Sequence, residues 1–238
     1  MPHPADYLPR LQAGAWFAQL PPDFRLQLLE AAVLLPLAAG QRLFSRHDAS
    51  ADLYAVLQGS VRISAHGGLP EEGREALLAV IEAPQWFGEI AFIDGGPRTH
   101  DAHAAADSLL LRVPQARLQA ILAEQPIYWR ELAVLASRKL RTTFEAIEDA
   151  TLMPVPRRIA RRLAWLAEGF GAPRANAAPP PAVKVSQEQL SAMLGLSRQT
   201  VNQALGGLAE AGLITLARGR VAIPDLARLK RYMVGEAV

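Results

Sequence analysis

The chain has 238 residues, enough for two domains with their own cores, and half of these residues are apolar and a fifth charged, an ordinary balance for a soluble globular protein. It contains no cysteine, which excludes disulfides, thiolate zinc sites, iron–sulfur clusters and thiol catalysis. The formal charge of +2 conceals a split: Leu152 onward carries 12 Lys/Arg and 5 Asp/Glu, a net of +7, against −5 for residues 1–151. The C-terminal part is therefore expected to meet a polyanion and the N-terminal part to stay off it. No apolar run approaches the ~18 residues of a membrane span. The opening MPHPADYLPR lacks the basic-then-apolar pattern of a secretory signal. A cytoplasmic protein with no membrane partner is the expectation.

Residues 11–32 read as one or two short helices, with Pro21-Pro22-Asp23 as a start signal. From Val33 the pattern changes to short apolar or alternating segments: VLLPL, QRLFS, LYAVLQ, VRISAH, EALLAVIE and SLLLRV. They are punctuated by Gly59, Gly67-Gly68 and Gly95-Gly96-Pro97. Closely spaced strands with glycine turns predict a compact β-barrel or jelly roll.

Pro114 opens a helix through Glu124, and Pro126 opens a longer one reaching about Ala150. Along it Trp129, Ala133, Ala136, Leu140, Thr143, Ile147 and Ala150 recur in steps of four and three, the spacing of a coiled-coil seam. Leu132 and Leu135 lie on another face, suited to the strand domain. One stripe for a twin and one for its own domain predict a homodimer; the competing reading is a helix buried within one monomer. Met153-Pro154-Val155-Pro156 ends the helix as a hinge. Arg157–Phe170 reads as a further amphipathic helix, followed by the loop GAPRANAAPPPAV.

The segment SQEQLSAMLGLSRQTVNQALGG, 186–207, reads as two helices around a tight turn. Ser186 and Gln189 have capping-box spacing. Gly195 supplies a left-handed turn residue, and Ser197 can cap the second helix. Val201, Ala204 and Leu205 form that helix's inward face, which turns Arg198, Gln199, Asn202 and Gln203 outward. These are side chains that address base edges and phosphates. This is a helix-turn-helix whose second helix reads double-stranded DNA, with Thr200 in its first turn. Residues 213–223 then form a β-hairpin with a basic tip, a wing carrying Arg218 and Arg220 toward phosphates. A last helix spans Pro224–Met233.

A strand domain, a long helix and a winged helix-turn-helix, in that order, resemble the CRP/FNR superfamily of bacterial transcription regulators. The markers are Gly59-Ser60-Val61, Phe87-Gly88-Glu89-Ile90, Arg98-Thr99 and LSRQTVNQAL at 196–205. The resemblance implies an α+β architecture divided into an effector-sensing β-roll over 1–125, a dimerisation helix over 126–151 and a DNA-binding domain over 152–238. It also implies a dimer on a pseudo-palindromic site and contact with RNA polymerase. WFGEIAFIDGGPRTH, 86–100, looks like the phosphate-binding cassette of cyclic-nucleotide domains. By that likeness Gly88, Glu89, Ile90, Arg98 and Thr99 would hold a cyclic nucleotide such as cAMP, and Thr143 on the long helix would meet its base. Arginine after a glycine-rich loop suits the fork geometry of phosphate.

Two departures keep other effectors open. The run after Thr99 is His100-Asp101-Ala102-His103, and a strand there would put Thr99, Asp101 and His103 on one face, where a carboxylate repels phosphate. Phe144 stands where cAMP regulators carry a small hydroxyl. A cyclic dinucleotide, or no nucleotide at all, are the alternatives, with Glu89 and Arg98 then forming a salt bridge in an empty barrel. A further alternative is a nucleotide-binding regulatory subunit acting through protein contacts. In the reader helix Arg198 matches the family's guanine-reading arginine, while Gln199 and Gln203 depart from its pattern. No metal site is expected from His100 and His103, which face opposite sides of a strand. Ser45, His47 and Asp48 lack a nucleophile elbow, so no catalytic residue and no enzyme is expected.

Overall fold

The computed structural model describes residues 3–67, 74–168, 182–183, 185–217 and 219–236. Short helices lead in: a 3-10 turn Pro4–Tyr7, α1 Leu8–Leu11, α2 Ala15–Gln19 and α3 Pro22–Ala31. In α3 Pro22 occupies the first turn, where its missing N–H costs nothing.

The strands β1 Val33–Leu37, β2 Arg42–Phe44, β3 Leu53–Gln58, β4 Ser60–Gly67, β5 Arg74–Glu82, β6 Trp86–Phe87, β7 Asp101–Ala104 and β8 Ser108–Val113 follow, with α4 Glu89–Asp94 between β6 and β7. Among the described residues they make two four-stranded antiparallel sheets, ordered β1-β8-β3-β6 and β2-β7-β4-β5. The expected barrel is thus a two-sheet jelly roll and not a closed cylinder. β3 is a continuous apolar run because both its faces are covered. Tyr54 and Val56 face the second sheet with Phe44, Val61, Phe87 and Leu110. Leu53, Ala55 and Leu57 face the helices with Phe17, Phe24 and Leu111.

Two strands escape the sequence reading or begin elsewhere. β6 is only two residues long, too short for a periodic signal. β7 starts at Asp101, after Thr99, so the expected shared face of Thr99, Asp101 and His103 does not form. Ala102 and Ala104 point into the core, and the Asp101 carboxylate accepts from the Arg46 amide at 2.9 Å.

After α5 Gln115–Glu124 and a 3-10 turn at Pro126–Tyr128, α6 runs over Trp129–Leu152. Leu132 and Leu135 are buried against the β-roll, whereas Leu140, Phe144 and Ile147 are more than half exposed. Trp129 stacks on Phe92 of α4 at 5.6 Å. Helix α7, Val155–Glu168, begins two residues earlier than the reading from Arg157, with Pro156 accommodated in its first turn. The end of the expected helix, residues 169–170, lies outside the described residues, as does the 171–181 part of the expected loop. Its last two residues, Ala182–Val183, are a strand, β9, not loop.

The C-terminal unit contains α8 Gln187–Leu194, α9 Arg198–Glu210, β10 Thr215–Ala217, β11 Arg220–Ala222 and α10 Leu226–Val234. β9 extends the wing to a three-stranded sheet, β10-β11-β9. Its core gathers Ile159 and Leu163 of α7, Leu190, Val201, Leu205, Leu208, Val221 and Leu229. Helix α8 also packs on β5, joining this unit to the β-roll.

Candidate effector cavity and nucleic-acid interface

A cavity of about 670 Å³ opens between β5, β6, α4 and one face of α6, and continues to α7 and α8. Trp16, Trp86 and Trp165 border it. At its β-roll end lies Arg98, 3% exposed. Its backbone is clasped on both sides: its N–H donates to Asp48 O at 2.8 Å, and its carbonyl accepts from His47 N at 2.8 Å. The guanidinium donates through Nη1 to Gly88 O at 2.9 Å and through Nη2 to Asp52 O at 2.7 Å. It lies 4.3 Å from the Phe44 ring centroid and 5.5 Å from that of Tyr54. Burial pulls its pKa down, and the nearby Tyr54 and Asp52 resist the shift; burial likewise raises the Tyr54 hydroxyl. Its Nε–H has no acceptor, an uncommon state for a buried charged group.

Gly88 has φ +95°, and a Cβ there would stand 2.8 Å from Asp52 O, so only glycine lets the chain pass so close to the arginine. Asp52 is fixed in turn: its carboxylate accepts from Arg112 Nε at 2.6 Å and from the Gln115 amide at 2.8 Å. Glu89 is 1% exposed and pairs with Lys139 Nζ of α6 at 2.6 Å. The Glu89–Arg98 salt bridge that the empty-barrel alternative calls for is not the one formed: Glu89 pairs with Lys139, because α6 brings an ammonium over α4. Thr143 lines the cavity one turn further on, its Oγ1 donating to Lys139 O at 3.0 Å. Ile90, Thr99 and His100 also line the cavity, with His100 Nδ1 2.8 Å from Thr99 Oγ1.

In the C-terminal unit the capping box closes both ways: Gln189 N donates to Ser186 Oγ at 3.0 Å and Ser186 N to Gln189 Oε1 at 2.8 Å. Gly195 takes φ +62°. Ser197 Oγ caps α9 through the Thr200 amide at 3.1 Å. Arg198, Gln199, Asn202 and Gln203 are exposed on one side of α9, opposite buried Val201, Ala204 and Leu205. Arg220 is exposed on the wing, and Arg218 lies outside the described residues.

The family model for the cyclic nucleotide-binding domain matches residues 34–125, and that for the Crp-like helix-turn-helix domain matches 157–232. The chain is 32% identical over 192 residues to the CRP-like cAMP-activated global transcriptional regulator of Mycobacterium tuberculosis, covering 81% of this chain and 84% of that protein. It is 30% identical over 200 residues to the cyclic AMP receptor protein of Thermus thermophilus, covering 83% and 87%. The chain belongs to the CRP/FNR family. Among solved structures, a CRP/FNR-family transcriptional regulator of Thermus thermophilus superposes with a TM-score of 0.67 at 27% identity, covering 86% and 100%. FixK2 of Bradyrhizobium japonicum shares the fold, with a TM-score of 0.72 at 18% identity, covering 87% and 98%.

As a member of the CRP/FNR family, the chain is a DNA-binding transcription regulator with a cyclic nucleotide-binding domain. The fold brings Gly88, Glu89, Ile90, Arg98, Thr99 and Thr143 around one cavity. The sequence reading misses Lys139, which sits one helical turn before Thr143 and could be found from that i−4 spacing. It also misses Asp52, for which no local motif exists. Of the seam residues, Ala133, Leu140, Thr143, Ile147 and Ala150 are exposed, Trp129 is 39% exposed and Ala136 half-buried. Phe144, four residues past Leu140, is 56% exposed as well. No helix among the described residues is long and apolar enough to cross a membrane.

Proposed function

We propose that this regulator is a homodimer whose grip on a pseudo-palindromic DNA site is set by a small anionic effector, of the cyclic-nucleotide class, held in the β-roll cavity. The observation that carries the reading is Arg98: a buried cation at the end of a large cavity, with an Nε–H that lacks an acceptor. Gly88, Glu89, Ile90, Thr99 and Thr143 would complete the effector site, with Lys139 beside them. Arg198, Gln199, Thr200, Asn202, Gln203, Arg218 and Arg220 would meet DNA, and Ser186 and Ser197, at helix starts, would meet phosphates.

On this reading residues 1–125 sense the effector, 126–151 dimerise through Trp129, Ala133, Ala136, Leu140, Thr143 and Ile147, and 152–238 bind DNA. The protein works in the cytoplasm through RNA polymerase, without catalytic chemistry of its own. Exposure of Leu140, Phe144 and Ile147 along α6 supports the dimer. The test is thermal unfolding against a panel of cyclic mono- and dinucleotides, paired with operator binding. A ligand that binds the folded state alone raises the midpoint. DNA affinity that is the same with every nucleotide and with none removes the effector from the account. DNA affinity without salt dependence would instead favour a regulatory subunit acting through protein contacts.

A further inference from the structure

We propose that His100 governs which way the Thr99 hydroxyl points, so that protonating its ring offers that hydroxyl's proton to an anion in the cavity. The proposal rests on the reading of the cavity as an effector site and adds to it a dependence on acidity. Thr99 and His100 both line the cavity and follow Arg98 directly in the chain. His100 Nδ1 lies 2.8 Å from Thr99 Oγ1, and among the described residues this is the one hydrogen bond that either side chain makes.

A hydroxyl has one proton to give, and an imidazole nitrogen either takes a proton in a hydrogen bond or gives one. With the ring neutral and its proton on Nε2, Nδ1 accepts from the Thr99 hydroxyl. Thr99 then has only oxygen lone pairs left for the cavity, and these repel a phosphate. With the ring protonated, Nδ1 donates, Thr99 Oγ1 accepts, and the hydroxyl proton is free to meet an anion. A solvent proton adds to Nδ1, and no other covalent bond changes. His100 is thus a positioning residue that acts through Thr99.

The charged groups that act on the ring are Arg46, in the turn after β2, and Asp101, the first residue of β7. Burial is the largest influence and opposes protonation; Arg46 opposes it too, and Asp101 favours it. The ring is therefore held neutral to a lower pH than an ordinary histidine. A phosphate in the cavity is a new negative charge beside the ring, and it favours the imidazolium. Binding and protonation then reinforce each other, because a coupling between two sites is reciprocal. Affinity for the anion rises as pH falls through the depressed value of the free protein, and levels off below it.

Titration calorimetry of the full-length protein with cyclic AMP and with cyclic di-GMP, repeated between about pH 8 and about pH 5.5, tests this. The phosphates of both stay ionised across that range. Wild-type affinity for the ligand that binds is expected to rise about five- to tenfold on acidification, the counterpart of raising one pKa by up to about one unit. Near the middle of the rise, binding should take up a fraction of a proton, seen as a binding enthalpy that varies with the buffer's ionisation enthalpy. His100→Gln should show a flat profile and no proton uptake. Thr99→Val, which keeps the ring and removes the hydroxyl, should lose more than half of the rise.

A flat wild-type profile overturns the inference and leaves the effector site standing, as does a rise that persists in His100→Gln. If Thr99→Val keeps half of the rise or more, the ring acts by its charge alone and the positioning role is overturned. Should His100→Gln fail to fold, the wild type decides: binding without proton uptake overturns the inference. If neither nucleotide binds the wild type at any pH, the effector reading falls and takes this inference with it.

Discussion

Arg98 has, beside the role proposed for it toward the effector, a structural one that its sequence position does not reveal. Its Nη atoms satisfy Gly88 O and Asp52 O, so Arg98→Ala would leave both carbonyls without these donors, at about 1–3 kcal/mol each. The variant is therefore expected to lose stability as well as ligand, in urea unfolding. Arg98→Lys, which keeps a cation in the same place, is the cleaner separation of charge from fork geometry: ligand affinity should fall further than stability does. His100, at the cavity wall, titrates in the other direction from a paired histidine. Burial and the Arg46 charge hold its folded pKa below the ordinary value of about 6.5. Below that pH the unfolded chain takes up the proton more readily, so stability is full above about 6.5 and is lost as pH falls toward the depressed folded value. Chemical denaturation at a series of pH values should show this slope, and His100→Gln should flatten it.

At the level of elements, what can be read from sequence is what neighbours in the chain decide. The capping box at Ser186, the left-handed Gly195 and the Ser197 cap involve partners within four residues, and each forms as spaced. Ser186→Ala should cost about 1 kcal/mol of stability, read from the denaturant midpoint. The effector end of the cavity is built differently. Asp52 is 46 residues from Arg98 and Lys139 is 50 from Glu89, so only the packing of β3 and α6 on α4 reveals them. Phe144 escapes because a heptad count fixes on Thr143, whereas the exposed stripe passes through both. In α9, Arg198 is exposed at the first helical position, where a helix entering the major groove reads bases. Arg198→Ala should weaken operator binding by about 1–3 kcal/mol and relax one base position in competition with substituted operators. Equal weakening on every sequence would make it a phosphate contact.

Across the whole molecule, the charge split read from composition follows the two units: the reader helix and wing lie in the +7 part and the cavity's Arg98 end in the −5 part. The proposed dimer gives this a direct test. Phe144→Glu places a charge on an exposed stripe, so the monomer should melt as before while sedimentation shows the dimer dissociating. Operator affinity should fall with it, because each half-site is then bound alone.

The indole rings carry one more consequence. The sequence has four tryptophans, and Trp16, Trp86 and Trp165 all border the cavity, the first two at its β-roll end and the third at the hinge. The protein thus holds intrinsic emitters at both ends of one chamber. Replacing Trp165 with phenylalanine would silence the hinge end alone, so quenching in each form would tell which end a given guest reaches, without any label.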